Sequence, residues 1–185
     1  MSVLNNKPQM FVVQFPSNFW YPEVIERWEP LVKRMRLPYD TLDDFMNQQI
    51  QQVTFPSANL DLAIQQRGQY EIAYATGKEL EPNISKTLNI TFKLTESYLS
   101  YWIIWDQVDT YLHYAGDELN RSHSPRFMEP ITLGFLTDAG LELLSFKFEQ
   151  IIPTNIGELT LSYAATVASY NTFSWSLRFN YFSIS

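Results

Sequence analysis

At 185 residues, 45% hydrophobic and only 18% charged, the chain can bury a substantial core, and an aromatic fraction of 16% is the opposite of a disordered composition. Thirteen Lys+Arg against 20 Asp+Glu leave a formal net charge of −7, the wrong sign for a protein that grips a nucleic-acid backbone. Without cysteine there are no disulfides, thiolate metal sites, iron–sulfur clusters or cysteine nucleophiles.

From the amino terminus, Met1 to Gln14 has no apolar core of signal-peptide length, and Met10 to Phe15 predicts a strand closed by Pro16. Tyr21 to Met35 has helical composition, with Pro22 in the first turn and Glu23 and Glu26 near the positive end of the dipole. Pro30 predicts two short pieces or a kink. Asp40 or Thr41 is placed to cap a helix through Gln48, with Leu42, Phe45, Met46 and Gln49 on one stripe. After Gln51 the texture turns to β. Val53-Thr54-Phe55 runs into Pro56, Leu60, Leu62 and Ile64 form one alternating set, and Tyr70, Ile72 and Tyr74 another before a Thr76-Gly77 turn. The strongest alternation sets Leu88, Ile90, Phe92 and Leu94 against Thr87, Asn89, Thr91 and Lys93.

Thr95-Glu96 then opens the clearest helix, with Tyr98, Tyr101, Trp102, Trp105, Val108 and Leu112 as the expected core stripe and Gly116 as its stop. Its apolar part, Tyr98 to Trp105, is far shorter than the roughly 20 residues of a membrane span, so a soluble protein is expected. Asp117 to Pro130 reads as a loop. Beyond it lies a meander: Ile131, Leu133 and Phe135 alternate, Asp138-Ala139-Gly140 turns, and Leu144, Phe146 and Phe148 follow. A phase slip near Leu143-Leu144 predicts a bulge. Pro153 to Gly157 reads as a second turn, Leu159, Leu161 and Tyr163 as a strand, and Phe173, Trp175, Leu177, Phe179 and Tyr181 as one terminal strand that shifts phase at Phe182. Strands with one wet face indicate antiparallel pairing. The expected fold is mainly β: an antiparallel sandwich or barrel with one packed helix and an N-terminal helical elaboration. One domain is expected over 1–185, its helical insertion at about 20–50.

No phosphate-binding, nucleophile-elbow or zinc-protease motif occurs. His113 and His123, with Asp117 and Glu118 between them, match no ligand spacing and read as a solvated loop. Asp43 and Asp44 point about 100° apart on a helix and do not converge, and their first-turn position complements the dipole. Asp106 and Asp109 share a helix face without any cleft the sequence can show. No catalytic, cofactor-binding or metal residue is therefore assigned, no cofactor is expected, and the chain is not expected to be an enzyme. Tyr98, Tyr101, Trp102, Trp105 and Tyr111 have the chemistry to stack on sugars or bases, but their spacing already suits a core stripe, as alternation does for Phe173, Trp175, Phe179 and Tyr181. Lys33-Arg34-Met35-Arg36 reads as a solvated helix end, and the sequons at Asn83, Asn89 and Asn120 carry no weight without a secretory signal. Long Thr/Ser/Asn/Gln strand faces with few lysines point instead to assembly with further chains.

These features resemble the tail tube proteins of contractile-tailed, T4-like bacteriophages. The resemblance covers about residues 50 to 185. It rests on Val53-Thr54-Phe55-Pro56, on Leu88 to Leu94 followed by the aromatic helix, and on the closing stretch from Tyr170-Asn171-Thr172-Phe173 through Arg178-Phe179-Asn180-Tyr181-Phe182. It implies a structural virion protein: hexameric rings, stacked into a tube whose sheets join around a channel for genome delivery. Tail sheath and baseplate proteins would be its partners, with DNA passing the lumen without specific binding and no membrane involved. The helical segment from Tyr21 to Gln48 departs from the compact tube subunit, which keeps a baseplate tube initiator or tail terminator of the same fold open, or a role for that segment as an inter-ring arm. The alternative of another class is a carbohydrate-binding β-sandwich module that uses Trp105 or Trp175.

Overall fold

A computed structural model of the chain describes residues 11–35, 39, 41–57, 62–67, 69–75, 85–121, 127–137, 139–159 and 171–185. Alternation builds its centre. Strands β5 (Thr87–Lys93) and β9 (Thr172–Arg178) pair antiparallel, with Leu88 opposite Leu177, Ile90 opposite Trp175 and Phe92 opposite Phe173. All six side chains are at most 3% exposed. Burying such a side chain contributes roughly 1.5–3 kcal/mol. With β2 (Ile50–Thr54) beside β5 and β8 (Ile152–Ile156) beside β9, they form a four-stranded antiparallel sheet in the order β2-β5-β9-β8. The other four-stranded sheet has the order β1-β6-β7-β10, from β1 (Phe11–Gln14), β6 (Ile131–Leu136), β7 (Glu142–Glu149) and β10 (Tyr181–Ile184). It contributes Val13, Ile131, Leu133 and Phe148 to the same core. The mainly β class expected from the sequence is thus the observed one.

The chain crosses between the sheets at two corners. Gln150, at φ 54°, passes it from β7 to β8, and Phe179-Asn180 passes it from β9 to β10. Asn180 ties the corners together: its backbone N–H donates to the Glu149 carbonyl (3.2 Å) and its side-chain amide to Gln150 Oε1 (3.1 Å). Two expectations are corrected here. The terminal segment is two strands in different sheets, because Phe179 stays buried against Phe148 (4.9 Å between rings) while the chain swings over and leaves Tyr181 exposed. Residues Pro153 to Gly157 are not a turn: Pro153 to Ile156 are most of β8, an edge strand among the described residues, where a proline's missing N–H costs no ladder bond if it faces outward. Of the expected strand at Leu159, Leu161 and Tyr163, Leu159 lies outside any strand and the other two lie outside the described residues. The bulge near Leu143-Leu144 is present: Phe135 pairs with Leu144 and Leu136 with Glu142, which leaves Leu143 unopposed.

Three helices cover the core. Helix α1 (Pro22–Arg34) is a single element of 13 residues running through Pro30, not two pieces. Pro30 denies Glu26 its helical donor, but both residues are exposed, so water can take the carbonyl. In α2 (Leu42–Gln48) Thr41 is the N-cap, its hydroxyl accepting from the Asp44 N–H at 3.2 Å, and Leu42, Phe45, Met46 and Gln49 are all buried. Helix α3 (Leu99–Arg121) follows a 3-10 turn at Glu96–Tyr98 and runs on through Gly116, so neither the stop there nor the loop from Asp117 holds up to Arg121. Gly116 is exposed within the helix and costs it about 1 kcal/mol relative to alanine, too little to end 23 residues.

A second departure concerns the hairpin of β3 (Leu62–Arg67) and β4 (Tyr70–Ala75), which pairs only with itself among the described residues. Alternation in each strand suggests burial, but the register sets Ile64 on one face and Tyr70 with Ile72 on the other. Ile64, Tyr70 and Ile72 are instead 62%, 77% and 38% exposed. Leu60 and the Thr76-Gly77 turn lie outside the described residues.

Candidate functional site

Because directly opposed residues share a face, the register defines the outward face of the β2-β5-β9-β8 sheet. One rung is Thr54–Asn89–Ser176–Asn155, and the next is Gln52–Thr91–Ser174. Thr87 opposite Arg178 and Lys93 opposite Thr172 lie at the two ends. Among the described residues on this face there is no carboxylate; its charges are Lys93 and Arg178. The inward rung of the same sheet is Val53–Ile90–Trp175–Ile156. A single sheet therefore separates an apolar core from a wall of hydroxyls and amides, and among the described residues it ends in the edge strands β2 and β8.

The carboxylates sit elsewhere, many of them on the helices. On α3, Asp106 is held by Arg27 and by the Trp28 indole N–H (2.8 Å), which fastens α1 to α3. Asp109 is exposed, and its backbone carbonyl lies 2.9 Å from His113 Nδ1. Glu23 receives the Tyr114 hydroxyl, and that bond holds its carboxyl below the ordinary value. Asp43 is pushed up from its ordinary value, chiefly by burial, with Asp44 and Glu29 adding to the effect and the Trp20 indole opposing it. Lys33 and Arg34 form the basic last turn of α1, with Lys33 paired to Glu29, while Arg36 and His123 lie outside the described residues. Asp117 and Glu118 fall within α3, so the two-histidine loop considered above is not a loop at its first histidine. Among the described residues no group of three or more metal-ligating side chains converges.

The core stripe expected on α3 is out of phase. Tyr101 is buried and Tyr98 and Val108 pack partly buried against the core, but Trp102, Trp105 and Leu112 are 44%, 52% and 59% exposed. Besides Leu99 and Tyr101 the buried positions are Ser100, Ile103, Ile104, Gln107 and Tyr111, themselves at helical spacing. Two polar residues occupy that stripe because each satisfies backbone groups at a chain crossing. The Ser100 hydroxyl donates to the Lys93 carbonyl (2.9 Å). The Gln107 amide donates to the Phe19 carbonyl (2.8 Å) and its oxygen accepts the Tyr21 N–H (3.1 Å). Most buried polar groups in proteins are paired in this way. The displaced aromatic face opens a groove of about 430 Å³ between α3 and β8, lined by Trp105, Val108, Asp109, Leu112 and Pro153 to Ile156. Trp175, by contrast, is fully buried and cannot stack on a sugar.

No protein-family model matches the chain, and no curated protein matches it. Two solved structures do resemble it over its whole length. One is a chain of the extracellular contractile injection system PVC, sheath–tube complex in the extended state, with a TM-score of 0.50 at 10% identity over 99% of this chain and 93% of that one. The other is a chain of the anti-feeding prophage cap, which terminates its tube, with a TM-score of 0.50 at 11% identity over 100% of this chain and 94% of that one. The fold is tail-tube-like. At such identities the tube-like fold is what the likeness shows.

Proposed function

We propose that the chain is a structural subunit of a phage-type tail tube, assembling through its β2-β5-β9-β8 sheet into hexameric rings that stack around a channel for genome delivery. The observation that carries this reading is the sheet itself: a polar outward face whose charges are confined to Lys93 and Arg178 at its two ends, bounded by two strands that are edges among the described residues. Edges left open invite pairing, and ring closure removes them. A conduit for DNA must not bind it, and a wall of threonine, serine, asparagine and glutamine with no row of lysines offers phosphate little counter-charge. Such a channel would take from this face only the Lys93 and Arg178 charges at its two ends, with many of the carboxylates on the helices outside, rather than being strongly acidic as six copies of a −7 chain suggest.

In this reading residues 1–185 form a single tail-tube-like domain with the helical elaboration at about 20–50 built into it. Both structural alignments span the chain, and α1 is fastened to α3 at Asp106. The protein works without catalysis or cofactor, in the tail of a virion or a phage-like particle, with sheath and baseplate proteins as partners. A T4-like body subunit is the leading form. A tube terminator is the second, favoured by the likeness to the tube-terminating cap.

Negative-stain electron microscopy of the purified protein across a concentration and salt series tests the reading. Rings or tubes with a stain-filled central hole are expected. Rings that never stack would favour the terminator. Single small particles at every concentration, together with retention on a polysaccharide gel that is lost in Trp105→Ala, would replace it with the sugar-binding module.

A further inference from the structure

At one end of the outward wall, Arg178 and the neighbouring Lys86 set two cations beside the rungs of hydroxyls and amides. We infer that Arg178, supported by Lys86, forms a basic girdle at one level of the channel that contacts the phosphates of DNA in transit. This rests on the ring reading above and names the place where the wall meets its passenger.

The strand period puts the guanidinium there. Along β9 the outward positions are Thr172, Ser174, Ser176 and Arg178, alternating with the buried Phe173, Trp175 and Leu177. Leu177 and Phe179, on either side of Arg178, are 0% and 1% exposed, so the arginine leaves the strand on the polar face, where it is exposed. Thr87, directly opposite on β5, is exposed as well. No carboxylate among the described residues pairs with Arg178. Glu149, whose carbonyl accepts from Asn180 at the adjoining corner, is held by Lys147 at 2.7 Å.

Lys86 adds a second positive charge at the same end. The Phe179 N–H donates to the Lys86 carbonyl (3.1 Å), which sets Lys86 beside Arg178. Its amine donates to the Asn180 carbonyl (2.8 Å) and lies 5.9 Å over the Tyr181 ring. Both partners are uncharged, so the charge of Lys86 is not cancelled by them. In a chain of net charge −7 this is a local reversal of sign. Rotation about a ring axis preserves height, so every copy adds its pair of cations at one level. A guanidinium fork matches phosphate oxygens, and phosphate contacts carry no sequence requirement, which suits a passenger of any sequence. One such level per ring is sparse, and exposed charges more than about 8 Å apart are screened at physiological ionic strength. The girdle therefore centres a moving duplex rather than holding it.

The protein is assembled with a short fluorescein-labelled DNA duplex, treated with nuclease to clear DNA outside the particles, and sedimented. Wild-type assemblies are expected to retain duplex at about 50 mM salt and to lose most of it by about 200 mM. Arg178→Gln, an exposed change compatible with folding, is expected to lower retention about tenfold or more at low salt, with assembly and circular dichroism unchanged. Arg178→Lys, which keeps the charge, should retain most of it. Arg34→Gln, at the exposed end of α1, should change nothing. Wild-type assemblies that retain no duplex, or Arg178→Gln assemblies that retain as much as wild type, would overturn the girdle and leave the ring reading standing. Arg178→Gln rings that no longer stack but still retain duplex would assign the guanidinium to the next ring and overturn it as well. Retention of poly-glutamate but not of duplex would give the girdle to an acidic protein cargo instead. A wild-type chain that never assembles removes the ring reading, and the girdle with it.

Discussion

The β5–β9 pair and the β3–β4 hairpin are written in the same alternating code and end in opposite environments. In the first, Ile90 and Phe92 are fully buried; in the second, Ile64 and Tyr70 are 62% and 77% exposed. Alternation decides only which side chains share a face. Burial requires a second layer, and for β5 and β9 that layer is present: Trp175 meets Phe19 at 6.1 Å between rings, and Phe173 meets Tyr101 of α3 at 5.2 Å. The hairpin has no such layer among the described residues.

Truncating the covered face should produce the largest effect. Trp175→Ala removes the largest side chain on β9 from a site with no exposure, and a loss of about 3–5 kcal/mol is expected in denaturant unfolding. A loss under about 1 kcal/mol would mean the two sheets repack easily and the contrast with the hairpin is shallow. On the hairpin, Ile64→Ser on one face and Ile72→Ser on the other should each shift unfolding by no more than about 0.5 kcal/mol, since neither side chain leaves a filled cavity. A larger loss would show that the hairpin face is covered in the native protein. Asp43 is the intermediate case, a half-buried carboxyl whose pKa is raised above 3.8 mainly by burial. Its protonated form suits the folded state better, so its contribution falls as pH rises from 3.8 through the folded value. Asp43→Asn should therefore melt slightly higher than wild type at neutral pH, with the difference closing below pH 3.8 in a thermal-melt series.

Helix α3 shows why the candidate surface was only half legible. The spacing of Trp102, Trp105 and Leu112 suggests a core stripe because they are the largest apolar residues in the window. The true stripe passes through Ser100 and Gln107, whose polarity disguised it. Nothing local announces that the Lys93, Phe19 and Tyr21 backbones need those partners, because the groups come together only when β5, the β1–α1 connection and α3 pack. The outward rungs of the β2-β5-β9-β8 sheet are the reverse case. Their polar residues are plain in each strand, but only pairing aligns them into one wall.

What the sequence determined by itself is local: the antiparallel character of the strands, the cap at Thr41, the bulge at Leu143 and the inward faces of β5 and β9. Each follows from steric preference or side-chain period within a few neighbouring residues. Tertiary structure alone decided which apolar faces are covered, that the last strand divides between two sheets at Asn180, and that α3 turns Trp105 outward beside β8. Those outcomes depend on which surfaces meet across the chain, and the free energy of burying a face belongs to both surfaces that close on it.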